Sequence, residues 1–141
     1  MLVLSTVLIA YHGLQVNSQI LPDAPIEGIR VTMFSDEGFK LWNLQGESAS
    51  YMENGMVEVV GMNLDVFQGK EGKEVDMRML AAEAIYQSND KTVSGDGGIF
   101  VDGDFYTIEG DSWRYSQDDR IVKVTSNVTV VINYQLGAFL K

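Results

Sequence analysis

In several stretches of this chain, apolar and polar residues alternate with a period of two. "VDMRM" at 75–79 sets Val75, Met77 and Met79 on one side and Asp76 and Arg78 on the other. "MNLDVF" does the same with Met62, Leu64 and Val66, and "NVTVVIN" with Val128, Val130 and Ile132. Successive side chains of an extended strand point to opposite faces, so each run predicts a strand with one buried face. Turn signals fall between the runs. Asn54-Gly55 and Asp102-Gly103 are dipeptides favoured in two-residue hairpins, where both central residues need φ > 0.

One stretch conflicts with this pattern. "MLAAEAIY" at 79–86 is built from strong helix formers and contains neither Gly nor Pro. A repeat resolves the conflict. "LQGESASY", "LAAEAIY" and "IEGDSWRY" begin at Leu44, Leu80 and Ile108, 36 and then 28 residues apart. Each carries a small residue (Gly46, Ala82, Gly110), then an acid (Glu47, Glu83, Asp111), and ends on a Tyr. A polar turn and a β-branched run follow each one. Such self-similarity marks one supersecondary unit used three times. Two copies hold a Gly that would weaken a helix interior, and the third spaces Trp113 and Tyr115 by two. The unit is therefore strand, turn, strand, and tertiary context overrides the helical propensity of "MLAAEAIY". The repeated acids are expected to face water. The fold class follows as all-β, an antiparallel sandwich or jellyroll-like sheet.

Length and composition narrow the picture. The 141 residues suffice for one domain with a real core, and the chain is 45% hydrophobic. Both prolines, Pro22 and Pro25, precede Gly28, which suits a chain of hydrogen-bonded strands beyond that point. A formal charge of −10 argues against a nucleic-acid partner, which needs clustered Lys and Arg. With no Cys there is no disulfide framework, thiolate zinc site or cysteine nucleophile. The one histidine, His12, precedes the domain, which excludes a histidine-based active site within it. Asp96, Asp102 and Asp104 lie beside glycines, as turn residues do, and no calcium-loop pattern occurs. No catalytic residue, metal ligand or cofactor is expected.

The organisation expected is a leader over 1–18, a linker over 19–29, the β-domain over 30–135 and a tail over 136–141. The run "LVLSTVLIA" at 2–10 is far shorter than the roughly 20 residues of a spanning helix. Val16 and Ser18 fit a small-residue cleavage site, so 1–18 reads as a signal peptide or a truncated anchor.

The ordered string Phe34, Asp36-x-Gly38, Trp42-x-Leu44-x-Gly46 and Tyr51, followed by the repeated units, spans roughly 31–132. It resembles the periplasmic proteins of lipopolysaccharide export, the LptC family, related to LptA and other OstA-like proteins. That resemblance implies an open, twisted antiparallel β-jellyroll with repeated strand-turn-strand units and a greasy interior groove for the acyl chains of lipid A. It also implies a non-enzymatic carrier in the periplasm, associated with the inner membrane. Its partners would be lipopolysaccharide, the LptB/LptF/LptG transporter and an LptA-like jellyroll packed edge to edge.

On this reading the groove would be lined by Trp42, Leu44, Val57, Val59, Met62, Leu64 and Val66 from the first units. Met77, Met79, Tyr106, Ile108, Val122 and Val124 would line it from the later ones. The partner edges would be the strand of Val31 and Met33, beside the Gly38 turn, and the strand of Val128, Val130 and Ile132. Lys40, Arg78 and Lys123 would offer local attraction at a rim. The rival expectation is a secreted carbohydrate-binding or adhesive β-sandwich, with Trp42, Trp113, Tyr115 and Tyr134 stacking on sugars from outside.

Overall fold

The computed structural model describes residues 25–69 and 74–133. The leader expected over 1–18, residues 19–24 of the linker, Tyr134 and the tail over 136–141 lie outside the described residues. Seven strands follow one another: β1 (Ile26–Phe34), β2 (Lys40–Tyr51), β3 (Met56–Phe67), β4 (Val75–Gln87), β5 (Thr92–Gly103), β6 (Tyr106–Ser116) and β7 (Ile121–Ile132). They form one sheet in sequence order, every neighbouring pair antiparallel, so the all-β reading holds. "MLAAEAIY" lies inside β4.

The hairpins correct three expectations. Asn54 and Gly55 do turn β2 into β3 with φ of 69° and 75°, and Met52 N–H donates to Met56 O at 2.8 Å. Asp102-Gly103, however, is still strand, and the bend falls at Asp104 and Phe105. Gly103 instead lies beneath the Tyr106 ring, where any Cβ would collide. The linker expected up to residue 29 is strand from Ile26 onward. The alternation there is hidden because Gly28 takes φ 67° and shifts its phase. Val75 does not share the buried side of Met77 and Met79 but is exposed. A register shift between Val66 and Phe67 separates it from them.

A phase shift recurs in most of the strands, and it shapes the molecule. In β3 the inward residues are Val57 and Val59, then Met62, Leu64 and Val66, and the phase changes at Gly61 with φ 67°. In β4 they are Met77, Met79 and Ala81, then Ala84 and Tyr86. Ser112 in β6 and Asn127 in β7 also take positive φ, 56° and 51°. Pairing register sets these irregularities side by side across the sheet, from Gly28 through Gly61 to Asn127. A bulge bends its strand, and a row of bulges creases the whole sheet.

The repeated small–acid dyads lie on this crease. A Cβ on Gly46 would sit 2.5 Å from Val59 Cγ1 and 2.9 Å from Ile29 Cγ2, and one on Gly110 would sit 2.6 Å from Val124 Cγ1. In these two copies the small residue therefore occupies the crowded inside of the bend, whereas Ala82 of the middle copy is exposed. The acid covers the outside: Glu47 lies over Gly61, and Asn127 Nδ2 donates to Asp111 Oδ2 at 2.9 Å. Glu47 and Glu83 face water as expected, whereas Asp111 is half-buried by this contact.

Creasing brings the two halves of the sheet face to face. Trp42, on one side of the crease, meets Tyr86, on the other, edge to face at 6.0 Å between ring centroids. The inward residues of both halves form a single core that includes Leu44, Leu64, Met79, Val93, Val101 and Trp113.

Candidate functional site: the apolar interior

All thirteen residues expected to line a groove face this interior, yet they do not form one open trough. Trp42, Leu44, Val59, Met62, Leu64, Val66, Met77 and Met79 are buried in the core. Leu64 and Met79 are 0% exposed. Val57, Tyr106, Ile108, Val122 and Val124 are partly buried and pack against that core from its margin. Between β2 and β5 the two apolar faces have closed on each other, as water drives facing hydrocarbon to do. The open part lies along β7 and the Tyr106–Ile108 start of β6, while Trp113 and Tyr115 of later β6 belong to the core. There Val130 and Ile132 stand opposite Ile108 and Tyr106, and are 52% and 56% exposed.

Residue size explains the difference. Facing sheets lie about 10 Å apart, and long side chains are needed to fill that gap. β2 to β4 supply Trp42, Leu44, Met62, Leu64, Met77, Met79 and Tyr86, whereas β7 turns inward only small and β-branched residues such as Val122, Val124, Val130 and Ile132. Trp42 Nε1 and Trp113 Nε1 are buried without a hydrogen-bond partner, and Trp113 lies flat on Gly95, which has no Cβ to hold it off. Burial pushes the Tyr86 and Tyr115 phenols up to about 12. The Tyr106 phenol is raised too, by burial first and then by nearby Asp76, and its hydroxyl donates to Met77 Sδ at 3.7 Å.

The rim charges are arranged differently from expectation. Lys40 Nζ sits 5.6 Å from the centroid of the Phe67 ring, at the margin of the interior. Arg78 is held on the outer face by Asp65 at 2.6 Å, a hydrogen bond that raises its pKa further. Lys123 alternates with the inward-facing Val122 and Val124, so it too points outward. Asp96, Asp102 and Asp104 are exposed, and no metal-binding group of three His, Asp or Glu side chains occurs among the described residues.

The candidate edges are the edges of the sheet: among the described residues, β1 and β7 each pair on one side. Val31 and Met33 point into the core, so β1 offers its backbone rather than these side chains. Gly38 ends the β1–β2 turn with φ 92° and donates to Ser35 O at 2.9 Å. Val128, Val130 and Ile132 are exposed on β7. The sugar-stacking expectation fails on burial. Trp42, Trp113 and Tyr115 are 2%, 3% and 2% exposed on the inner face, because their period-two neighbours are core residues. Several interior residues were missed, among them Val93, Ile99, Val101 and Tyr86. The alternation of "IFV" and "AIY" carried that signal.

A single antiparallel sheet creased over its own apolar face, with both edge strands bare among the described residues, is an open β-jellyroll. Residues 13–133 match the family described as Lipopolysaccharide-assembly, LptC-related, and the chain belongs to that family. Among solved structures it is similar to LptH from Pseudomonas aeruginosa, described as the LptA homologous periplasmic component of the lipopolysaccharide transport device. That likeness covers 80% of this chain and 96% of LptH, at 16% identity and a TM-score of 0.54, and it concerns the fold. No curated protein matches the chain at a significant level. Among the described residues no helix is long and apolar enough to cross a membrane.

Proposed function

We propose that this protein is a non-enzymatic periplasmic carrier that takes lipopolysaccharide from an inner-membrane LptB/LptF/LptG transporter and passes it to an LptA-like jellyroll. Membership of a lipopolysaccharide-assembly family supports the substrate. The observation that carries the reading is the continuity between the half-open margin at Ile108, Val122 and Val124 and the core behind it. Acyl chains enter at this margin and extend inward as the two halves part, while the headgroup stays in water.

Magnitudes favour this arrangement despite the charge of −10. An acyl chain of about a dozen carbons gains on the order of 9 kcal/mol gross when buried. Screened repulsion between a solvated phosphate and a surface acid is nearer to about 1 kcal/mol per pair. Transfer onward uses the bare β7 edge, where an added strand satisfies the free N–H and C=O groups and covers Val130 and Ile132. The β1 edge faces the donor in the same way.

A photo-crosslinking residue at Val124 or Ile108 in cells tests the proposal, with Lys123 as the outward control. Lipopolysaccharide adducts at Val124 and Ile108 and none at Lys123 are expected. Equal labelling at all three sites, or none at the inward pair, overturns it.

A further inference from the structure

We propose that Arg120 is a latch that closes the mouth of the interior opposite the crease, and that its release lets the two halves of the sheet part. Arg120 lies in the β6–β7 turn, at the end of one half; Phe67 and Gln68 lie where β3 ends, at the far end of the other half. Its Nη1 donates to Gln68 O at 2.9 Å and its Nη2 to Phe67 O. The residues joined are 52 and 53 apart in sequence. Other side-chain hydrogen bonds, such as Arg78 to Asp65 or Gln87 to Met56, join strands within one half.

The surroundings are shaped for this contact. Gly69 makes room, since a Cβ there would sit 2.9 Å from Leu41 Cδ2 and 3.2 Å from Arg120 Nη1. Arg120 takes φ 55°, a left-handed backbone unusual for a side chain of its size. The turn that carries it is not a free flap, because Gln117 N–H donates to Lys91 O at 3.0 Å and Lys91 pairs with Asp118 at 3.7 Å. A planar guanidinium presents two parallel N–H groups to two successive carbonyls, which a lysine cannot reproduce. The core packed behind the latch is apolar contact, which has no fixed direction and which an entering hydrocarbon chain replaces in kind. The latch is thus a directional tie that must break before the slot widens at this end. The opening itself stands apart from the lipopolysaccharide reading; its use in lipid uptake rests on that reading.

The chain has no cysteine, so Gln68→Cys and Asp119→Cys take spin labels cleanly. In lipid-free protein, Arg120→Ala should lengthen and broaden the distance between the labels, with Arg120→Lys giving only partial closure. Superimposable distance distributions for Arg120 and Arg120→Ala overturn the latch. A second measurement holds even if Arg120→Ala folds poorly. Bridging the same two cysteines with a short, reducible bis-thiosulfonate should slow uptake of cis-parinaric acid at least about tenfold, a rise of about 1.4 kcal/mol in the opening barrier. Reduction should restore it. Uptake indifferent to the bridge also overturns the proposal, whereas failure of lipopolysaccharide crosslinking at Val124 with these results intact overturns only the assigned cargo.

Discussion

The β2–β5 region and the β7 margin share one sheet and one inward face, yet one is sealed and the other open. Both obey the same alternation; they differ in the size of what alternates. In the sealed region β2 to β4 are flanked on both sides and send long side chains across the slot, so Leu64 and Met79 are fully enclosed. At the margin β7 turns no Trp, Tyr, Met or Leu inward, only small and branched residues. Sealing therefore holds the fold together, and the unsealed end is where the proposed carrier would bind. A lipid carrier needs both, because a slot that was greasy and open throughout would collapse or aggregate in water.

The contrast can be broken first in the sealed region. Leu64→Ala leaves a cavity with little room to relax and should cost about 2–5 kcal/mol, read as a lower denaturation midpoint. Val130→Thr at the margin should stay within about 0.5 kcal/mol of the parent in the same experiment, as exposed sites do. The crease comes next. Gly61→Ala forces a Cβ into a left-handed backbone beneath Glu47 and should lose about 1–3 kcal/mol. Smaller still is a pH effect of two buried tyrosines, Tyr86 on β4 and Tyr115 on β6. Tyr86 and Tyr115 keep their protons up to about 12 in the folded chain, against 10 for an ordinary phenol. Folded protein thus holds more protons than unfolded protein in that window. Stability is fully present below about pH 10 and falls as pH rises towards 12, with a shallower fall in Tyr86→Phe.

Much of the fold was legible before any coordinates. Strand identity, including that of "MLAAEAIY", followed from alternation and from the threefold repeat, and so did the inward assignment of Leu44, Leu64 and Met79. The repeat was read for its strands, while its small–acid dyads turned out to mark the crease. Gly46 fits the inside of the bend and Glu47 the outside, but a pair of adjacent residues cannot announce a bulge whose partner, Gly61, is on another strand. The Asp102-Gly103 turn was misplaced for a related reason: Gly103 is kept small by the Tyr106 ring, a contact that has nothing to do with φ. Trp42 and Trp113 show the same limit, since a large aromatic in an alternating run reads equally well as core or as a sugar platform.

What the sequence determined by itself is local: which segments are extended, which side of each is apolar, and where the chain reverses. Period-two chemistry and turn stereochemistry act over a few residues, and they leave the same imprint in any sheet. Tertiary structure decided that the bulges align into one crease, that Trp42 meets Tyr86 across it, and that Arg120 reaches Phe67 and Gln68. It also decided that the slot closes in the middle and stays open at β7. These outcomes depend on side-chain volumes summed across two facing layers and on contacts some fifty residues apart, where no window of sequence holds both partners.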